Sequence, residues 1–322
     1  MPTAVLTAVE GIAVGHVTYS DDGTGCTVVI PPVGTTGAVD VRGGGAGTRE
    51  TEAVAPLAGE RDISAILLAG GSAFGLAAAS GVARWCERDG RGVDTGAARV
   101  PIVPAAVIYD LGLSGNGRRP DEADGEAACL AARMGPHALG SVGAGTGATV
   151  GKVLGQRGWC KGGIGAASCV LHDGVTVAAL AVVNAFGDVV DADGSIIAGA
   201  WESGGFVDAG RHLRTRPPEH PRLAGQNTTL AVVATDAALT RAEAGQVARM
   251  AQAGICRAVI PASTLLDGDV VFALSTGARR GSTFLCGTVG AEMVAEAIRD
   301  AVRQATAVRG VPTGAERSSS GG

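Results

Sequence analysis

Ser168-Cys-Val-Leu-His-Asp-Gly-Val-Thr-Val-Ala-Ala-Leu-Ala-Val-Val183 decides the fold class. Its two apolar runs flank Asp173-Gly174, a dipeptide suited to the positive φ of a tight hairpin turn. Asp188–Ile197 reads as a second pair of strands joined by a tight turn. Working outward, Ile63–Ala69, Thr229–Thr235, Cys256–Ile260 and Val270–Ser275 also read as strands. Helical patterns cover Gly75–Arg88, Asp121–Met134 and Gly287–Gln304. A capping box at Thr240-Arg-Ala-Glu243 opens a further helix that is expected to stop near Gly254. Strands outnumber helices and several pair by hairpins. That predicts an α+β fold with helices on the outer faces of sheets.

The chain has 322 residues, the length of one large domain or two ordinary ones. Hydrophobic residues are 46 % and charged residues 18 %, a balance that folds rather than stays disordered. With aromatics at 3 % and 52 glycines, the core must be closely packed Ala, Val, Leu and Ile. The net charge is −5 and the 26 basic residues form no stripe, which argues against a nucleic-acid partner. No apolar run has the length of a membrane helix, and Met1–His16 has no signal-peptide pattern. Seven dispersed cysteines without a CxxC point to reduced thiols in a cytoplasmic protein, with no disulfide frame and no zinc site.

Several segments carry candidate chemistry, each beside a plainer reading. Gly140–Lys152 contains a Gly143–Gly151 loop open to a phosphate ligand. It departs from a Walker A loop at Thr146 and Val153, and it lacks the acid of a dinucleotide fingerprint. Lys152 lies in an apolar stretch, where a lysine is expected to be desolvated and held by a carboxylate. Gly70-Gly-Ser72 resembles a serine nucleophile elbow, but Phe74 replaces the required glycine and no histidine has a suggestive context. Asp267-Gly268-Asp269 reads locally as a hairpin turn or as a carboxylate pair facing a site. Tyr109 reads as a buried hydroxyl or a site residue. Asn184 interrupts an apolar strand, as a bonded core amide or an oxyanion donor. Gly204–Gln226 is a long aperiodic polar segment that ends directly at Asn227-Thr228-Thr229, and the tail from Gly310 reads as disordered.

As an ordered set these residues resemble the autoprocessing N-terminal-nucleophile peptidases of the DmpA type. That family includes L-aminopeptidase/D-amidase esterases, β-peptidyl aminopeptidases, nylon-oligomer endo-hydrolases and a pantetheine hydrolase. The resemblance runs through Gly11–His16, Ala38–Gly44, Leu68–Gly75, Val107–Asp110, Gly151-Lys-Val153, Val182–Gly187, Asn227-Thr-Thr229 with Ala234-Thr-Asp236, and Asp267-Gly-Asp269. It implies a layered α-β-β-α sandwich that cuts itself between Asn227 and Thr228. The parts would be an α chain, 1–227, ending in the processing loop 204–227, and a β chain, 228–309, followed by the tail 310–322. It implies Thr228 as nucleophile, Asn184 as oxyanion donor, Lys152 as a site lysine, and Asp267 and Asp269 as the pair orienting the new amino group. Tyr109 would line the substrate site. Thr228 with Asp267/Asp269 is nearer the nylon-oligomer branch than the Ser-based aminopeptidase branch. The expected activity is hydrolysis of small peptides, β-amino-acid amides or nylon-type oligoamides. No cofactor or metal is implied, and the expected assembly is a tetramer of αβ units. The alternatives left open are a Ser72 hydrolase with an intact chain and a phosphate-binding protein using the 143–151 loop.

Overall fold

The computed structural model describes residues 5–55, 57–59, 62–114, 117–217 and 226–319. Two five-stranded sheets lie face to face between two pairs of helices. The first sheet joins β1 (Ala13–Tyr19), β2 (Thr24–Ile30), β4 (Gly47–Arg49), β5 (Ile66–Ala69) and β6 (Ala105–Val107) in the order β1-β2-β5-β6-β4. The second joins β3 (Thr36–Val41), β7 (Gly163–Val170), β8 (Thr176–Asn184), β9 (Thr228–Ala237) and β10 (Val270–Arg279) in the order β7-β8-β9-β10-β3. Helices α1 (Ala78–Arg88) and α2 (Glu122–Ala131) cover the outer face of the first sheet. The short α3 (Ala209–Thr215) precedes β9. Helices α4 (Arg241–Ala258) and α5 (Thr283–Arg303) cover the outer face of the second sheet.

The layering follows from strand alternation, which sends successive side chains to opposite faces. In β9, Leu230, Val232 and Ala234 meet Val29, Leu68 and Ile108 between the sheets, while Ala231 and Val233 pack under α4 and α5. All ten residues of β9 are buried, so both faces are apolar and the strand reads as a continuous run. Burial of a side chain such as Phe272, fully enclosed between the sheets, contributes about 1.5–3 kcal/mol. The hairpin expected at Asp173-Gly174 is present: Leu171 and Val175 close it, and Gly174 has φ +81. The α+β layering expected from the residues, and the α-β-β-α sandwich that the resemblance implied, are therefore the observed architecture.

Three expectations need correction. The fourth helix does not stop near Gly254; it continues through Cys256 to Ala258, so only Val259–Ile260 of the expected strand Cys256–Ile260 is extended. Gly254 is not a terminator. A Cβ there would lie 2.2 Å from the Ala291 carbonyl oxygen, so its role is to let α4 and α5 touch. The segment Gly204–Gln226 is not wholly irregular: Gly205–Phe206 pairs with Trp201–Glu202, and Asp208 caps the seven-residue α3 by accepting from Arg211 N. Residues 218–225 lie outside the described ones. The tail is ordered as far as Ser319, through α6 (Gly314–Ser319). Thr313 and Glu316 cap that helix reciprocally, a Thr-x-x-Glu signature present in the sequence.

Candidate active site

The site forms where β8 ends and β9 begins. Antiparallel register sets Asn184, the last residue of β8, opposite Thr228, the first of β9. One residue earlier, Asn227 makes a parallel bridge to Asp267 in the segment leading into β10. The side chains there turn from apolar to polar while remaining buried: Asn184, Asn227, Thr228, Asp267 and Asp269 are each no more than 2 % exposed.

The Thr228 hydroxyl donates to the carbonyl oxygen of its own preceding residue, Asn227, at 2.5 Å. The Gly268 N–H donates to the same oxygen at 2.8 Å. Asp267-Gly268-Asp269 is thus no hairpin turn. It is the approach to β10, held beside Asn227. The glycines Gly43–Gly45 press against it; a Cβ on Gly268 would come within 2.7 Å of Ala46 Cα and Gly45 O. The two carboxylates anchor backbone on either side. Asp269 accepts from Thr229 N at 2.7 Å and from Ser263 N and Oγ. Asp267 accepts from Phe186 N and from Thr264 N and Oγ1. Burial, and then the neighbouring Asp267 charge, push the Asp269 carboxyl up to about 7.

Lys152 is buried against the same cluster. Its ammonium donates to Asn184 Oδ1 at 2.8 Å, to Asn184 O at 3.1 Å and to Gln226 O at 3.2 Å. Desolvation lowers it to about 7, with Asp267 and Asp110 opposing that fall. The Trp159 ring lies 5.7 Å from its nitrogen, within cation–π range. Asn184 Nδ2 donates to Tyr109 O and Gln226 O, both at 3.2 Å. Tyr109, Leu113, Thr149, Lys152, Trp159 and Gln226 enclose a pocket of about 10 Å³, room for one water at most. A wider cavity of about 610 Å³ opens at the opposite end of β9, beside Leu239, Thr240 and Ser275. It holds none of the clustered polar residues.

The pattern of peptidase family S58 matches residues 4–315. The chain belongs to peptidase family S58. It is 43 % identical to an uncharacterized aminopeptidase of Mycobacterium tuberculosis, across 96 % of both chains. It is 33 % identical to the 6-aminohexanoate-oligomer endohydrolase of Paenarthrobacter ureafaciens, across 92 % of this chain and 84 % of that one. Solved structures share its fold, among them two aminopeptidases. The Burkholderia β-aminopeptidase superposes with a TM-score of 0.72 at 23 % identity, covering 98 % of this chain and 92 % of the other. The L-aminopeptidase D-Ala-esterase/amidase of Ochrobactrum anthropi, a variant of the Ntn-hydrolase fold, gives 0.72 at 22 % identity, covering 95 % and 88 %.

This S58 peptidase is an amide-bond hydrolase, and its structure bears on the other sequence readings. Ser72 begins a 3₁₀ turn with φ +54, and its N–H donates to Ile108 O; among the described residues no histidine bonds its hydroxyl. Among the described residues the Ser72 alternative thus has no histidine partner. The Gly143–Gly151 loop is buried and turns carbonyls inward: Gly145, Thr146 and Ala148 all accept from Lys161 Nζ. A phosphate needs converging N–H groups, so the phosphate-binding alternative is not supported either. Two further buried charged groups act on Lys152: Lys161, fully buried, and Asp110, which accepts from Gly71 N and Thr24 Oγ1. Trp159-Cys-Lys161-Gly shares the sequence character of the Lys152 stretch, a lone lysine among apolar and small neighbours. Among the described residues no helix is long and apolar enough to cross a membrane.

Proposed function

We propose that this S58 peptidase matures by cutting its own chain between Asn227 and Thr228 and then hydrolyses amides with Thr228 as an N-terminal nucleophile. The observation that carries the reading is the pairing of hydroxyl and donor on one carbonyl: Thr228 Oγ1 at 2.5 Å and Gly268 N–H at 2.8 Å from Asn227 O. In self-cleavage the hydroxyl oxygen attacks the Asn227 carbonyl carbon. The Gly268 N–H stabilises the oxyanion, the C–N bond breaks, and the Thr228 nitrogen takes the proton. Water opens the resulting ester, leaving the Asn227 carboxylate and a free Thr228 amine.

An α-amine has an ordinary pKa of about 7.7–8.0, so it can accept the proton of its own hydroxyl near neutrality. In turnover it takes that proton as the hydroxyl attacks a substrate amide, then passes it to the departing amine; water releases the acyl group. Asn184 Nδ2, engaged by Gln226 O in the intact chain, becomes available to the substrate oxyanion once that carbonyl withdraws. Lys152, Asp267 and Asp269 set the charge around the new amine, and Tyr109 lines the acyl side. The relatives support small peptides, β-amino-acid amides or nylon-type oligoamides as substrates. Strand β9 lies between β8 of the α part and β10 of its own part, so both pieces stay in one domain after the cut. A cytoplasmic tetramer of αβ units is part of the same reading. The exposed side chains of Leu265 and Phe284 supply apolar contact surface, and light scattering reads the assembly.

A denaturing gel of purified protein tests the central step. Two bands are expected, the smaller beginning Thr-Thr-Leu-Ala. Thr228→Ala should remain one inactive chain, and Thr228→Ser should still process. A single, active wild-type chain overturns the reading.

A further inference from the structure

A lysine amine buried without a carboxylate is an unusual burden on a core, because removing a charge from water costs several kcal/mol unless hydrogen bonds replace the lost hydration. Lys161 is such a group in its hydrogen bonds, with Asp110 the opposite charge that acts on it from a distance. It is 0 % exposed, and its described hydrogen bonds all go to carbonyl oxygens: Ala148 at 2.6 Å, Thr146 at 2.8 Å and Gly145 at 3.4 Å. Filling space would require only an apolar side chain. The carbonyls it gathers show what the nitrogen adds.

The Ala148–Thr149 peptide unit faces two ways. Its carbonyl accepts from Lys161 Nζ, and from Gly162 N at 2.9 Å. Its N–H, on Thr149, donates to Asn184 Oδ1 at 3.1 Å. Lys161 and Asn184 are therefore joined through one peptide plane. On the other side, Lys152 Nζ donates directly to the same Oδ1. Two buried lysines thus converge on one amide oxygen, and the Nδ2 end has no choice but to face Tyr109 O and Gln226 O. Hydrogen bonds in series polarise one another. A donor at the carbonyl end of the Ala148–Thr149 peptide strengthens its N–H, and loading Asn184 Oδ1 strengthens the Nδ2 donor.

We infer that Lys161 is a positioning residue of the hydrolytic reaction: through the Ala148–Thr149 peptide it fixes and polarises the Asn184 amide that meets the oxyanion. The inference rests on the oxyanion role proposed above for Asn184. Asp110 completes the enclosure from the far side. It presses on Gly147, where a Cβ would lie 2.5 Å from Asp110 Cβ, so the loop is held between Asp110 and Lys161. A loop so held cannot swing Thr149 away from Asn184.

A double-mutant cycle in kcat tests this on the processed enzyme, with turnover normalised to the amount of free N-terminal threonine. Asn184→Ala alone should lower kcat by roughly 10²–10³, the effect of losing one oxyanion donor, with KM changing far less. Lys161→Met alone should lower kcat by about tenfold, within the range of coupled neighbours. In the Asn184→Ala background, Lys161→Met should cost less than about twofold more. Independent, multiplying effects overturn the role of Lys161 and leave that of Asn184 standing. A wild-type kcat in Asn184→Ala overturns both. Where Lys161→Met does not accumulate as folded protein, Lys161→Gln serves in the same cycle. Its amide keeps two N–H donors, and the same non-additivity is expected.

Discussion

Asp269 holds Thr229 N and Lys152 holds Gln226 O, on either side of Thr228 in the chain, and burial brings both groups to about 7, the acid from below and the lysine from above. A cation near the new amine lowers its pKa and a carboxylate raises it. Lys152→Met removes the cation, so the alkaline-going limb of the kcat/KM profile should move to higher pH. Asp269→Asn removes the charge that bonds Thr229 N–H, and both processing and turnover should slow. Unchanged pH–rate curves in both variants would place these groups outside the reaction. Thr228, Asn184, Lys152 and the two aspartates were legible as an ordered set of motifs. Lys161 was not, because its partners are backbone carbonyls, which leave no mark in the side-chain sequence. Gly268 was hidden for a related reason: its contribution is an N–H that every residue but proline has.

Helices α4 and α5 meet at Gly254. The absent Cβ leaves room for the Ala291 carbonyl, and Val294 closes over it. Gly254→Ala should destabilise the Thr228→Ala chain by about 1–3 kcal/mol, the usual effect of overpacking, measured by urea unfolding. Helix propensity alone predicts the opposite sign, since alanine is the better helix former. A stabilised variant would therefore show that the two helices can move apart at little cost. Start signals were legible here: Thr240 and Glu243 cap α4 reciprocally, as their spacing implies. Its end was not, because a glycine that stops a helix and one that admits a neighbouring helix look alike in sequence. Only tertiary contact tells them apart. The β8–β9 pairing, which sets Asn184 opposite Thr228 across 44 residues, likewise has no local signature.

Across the molecule, several ionisable groups are folded into the interior with displaced titrations. Burial raises Asp110 and Asp188 to about 6 and Asp269 to about 7, and lowers Lys152 and Lys161 to about 7. For the acids, the folded chain holds protons the unfolded chain has released, so their contribution falls as pH rises from about 4 to about 7. For the lysines, the unfolded chain holds the extra proton between about 7 and about 10.4, so their contribution rises over that interval. Burial raises the thiols of Cys26, Cys86, Cys129, Cys160 and Cys286, and these oppose the lysines from about pH 8.5 upward. The melting temperature of Thr228→Ala should therefore climb from pH 7 to about pH 8, and Lys161→Met in that background should flatten the climb. An equal slope in both would contradict the lysine's displaced titration. The sandwich class was legible from hairpins and apolar runs. The assignment of β3 and β4 to different sheets was not, because it depends on contacts distant in sequence. The same enclosure bears on how the enzyme comes into being. Asn227 and Thr228 lie at 0 % and 2 % exposure, so the bond between them is out of reach of any protease while the chain is folded. A neighbouring copy cannot present its hydroxyl there either. On the proposed route, each molecule is its own first customer and keeps its own time. The uncut fraction should decay along one exponential whose half-life is indifferent to dilution, and adding finished enzyme to fresh precursor should hasten nothing.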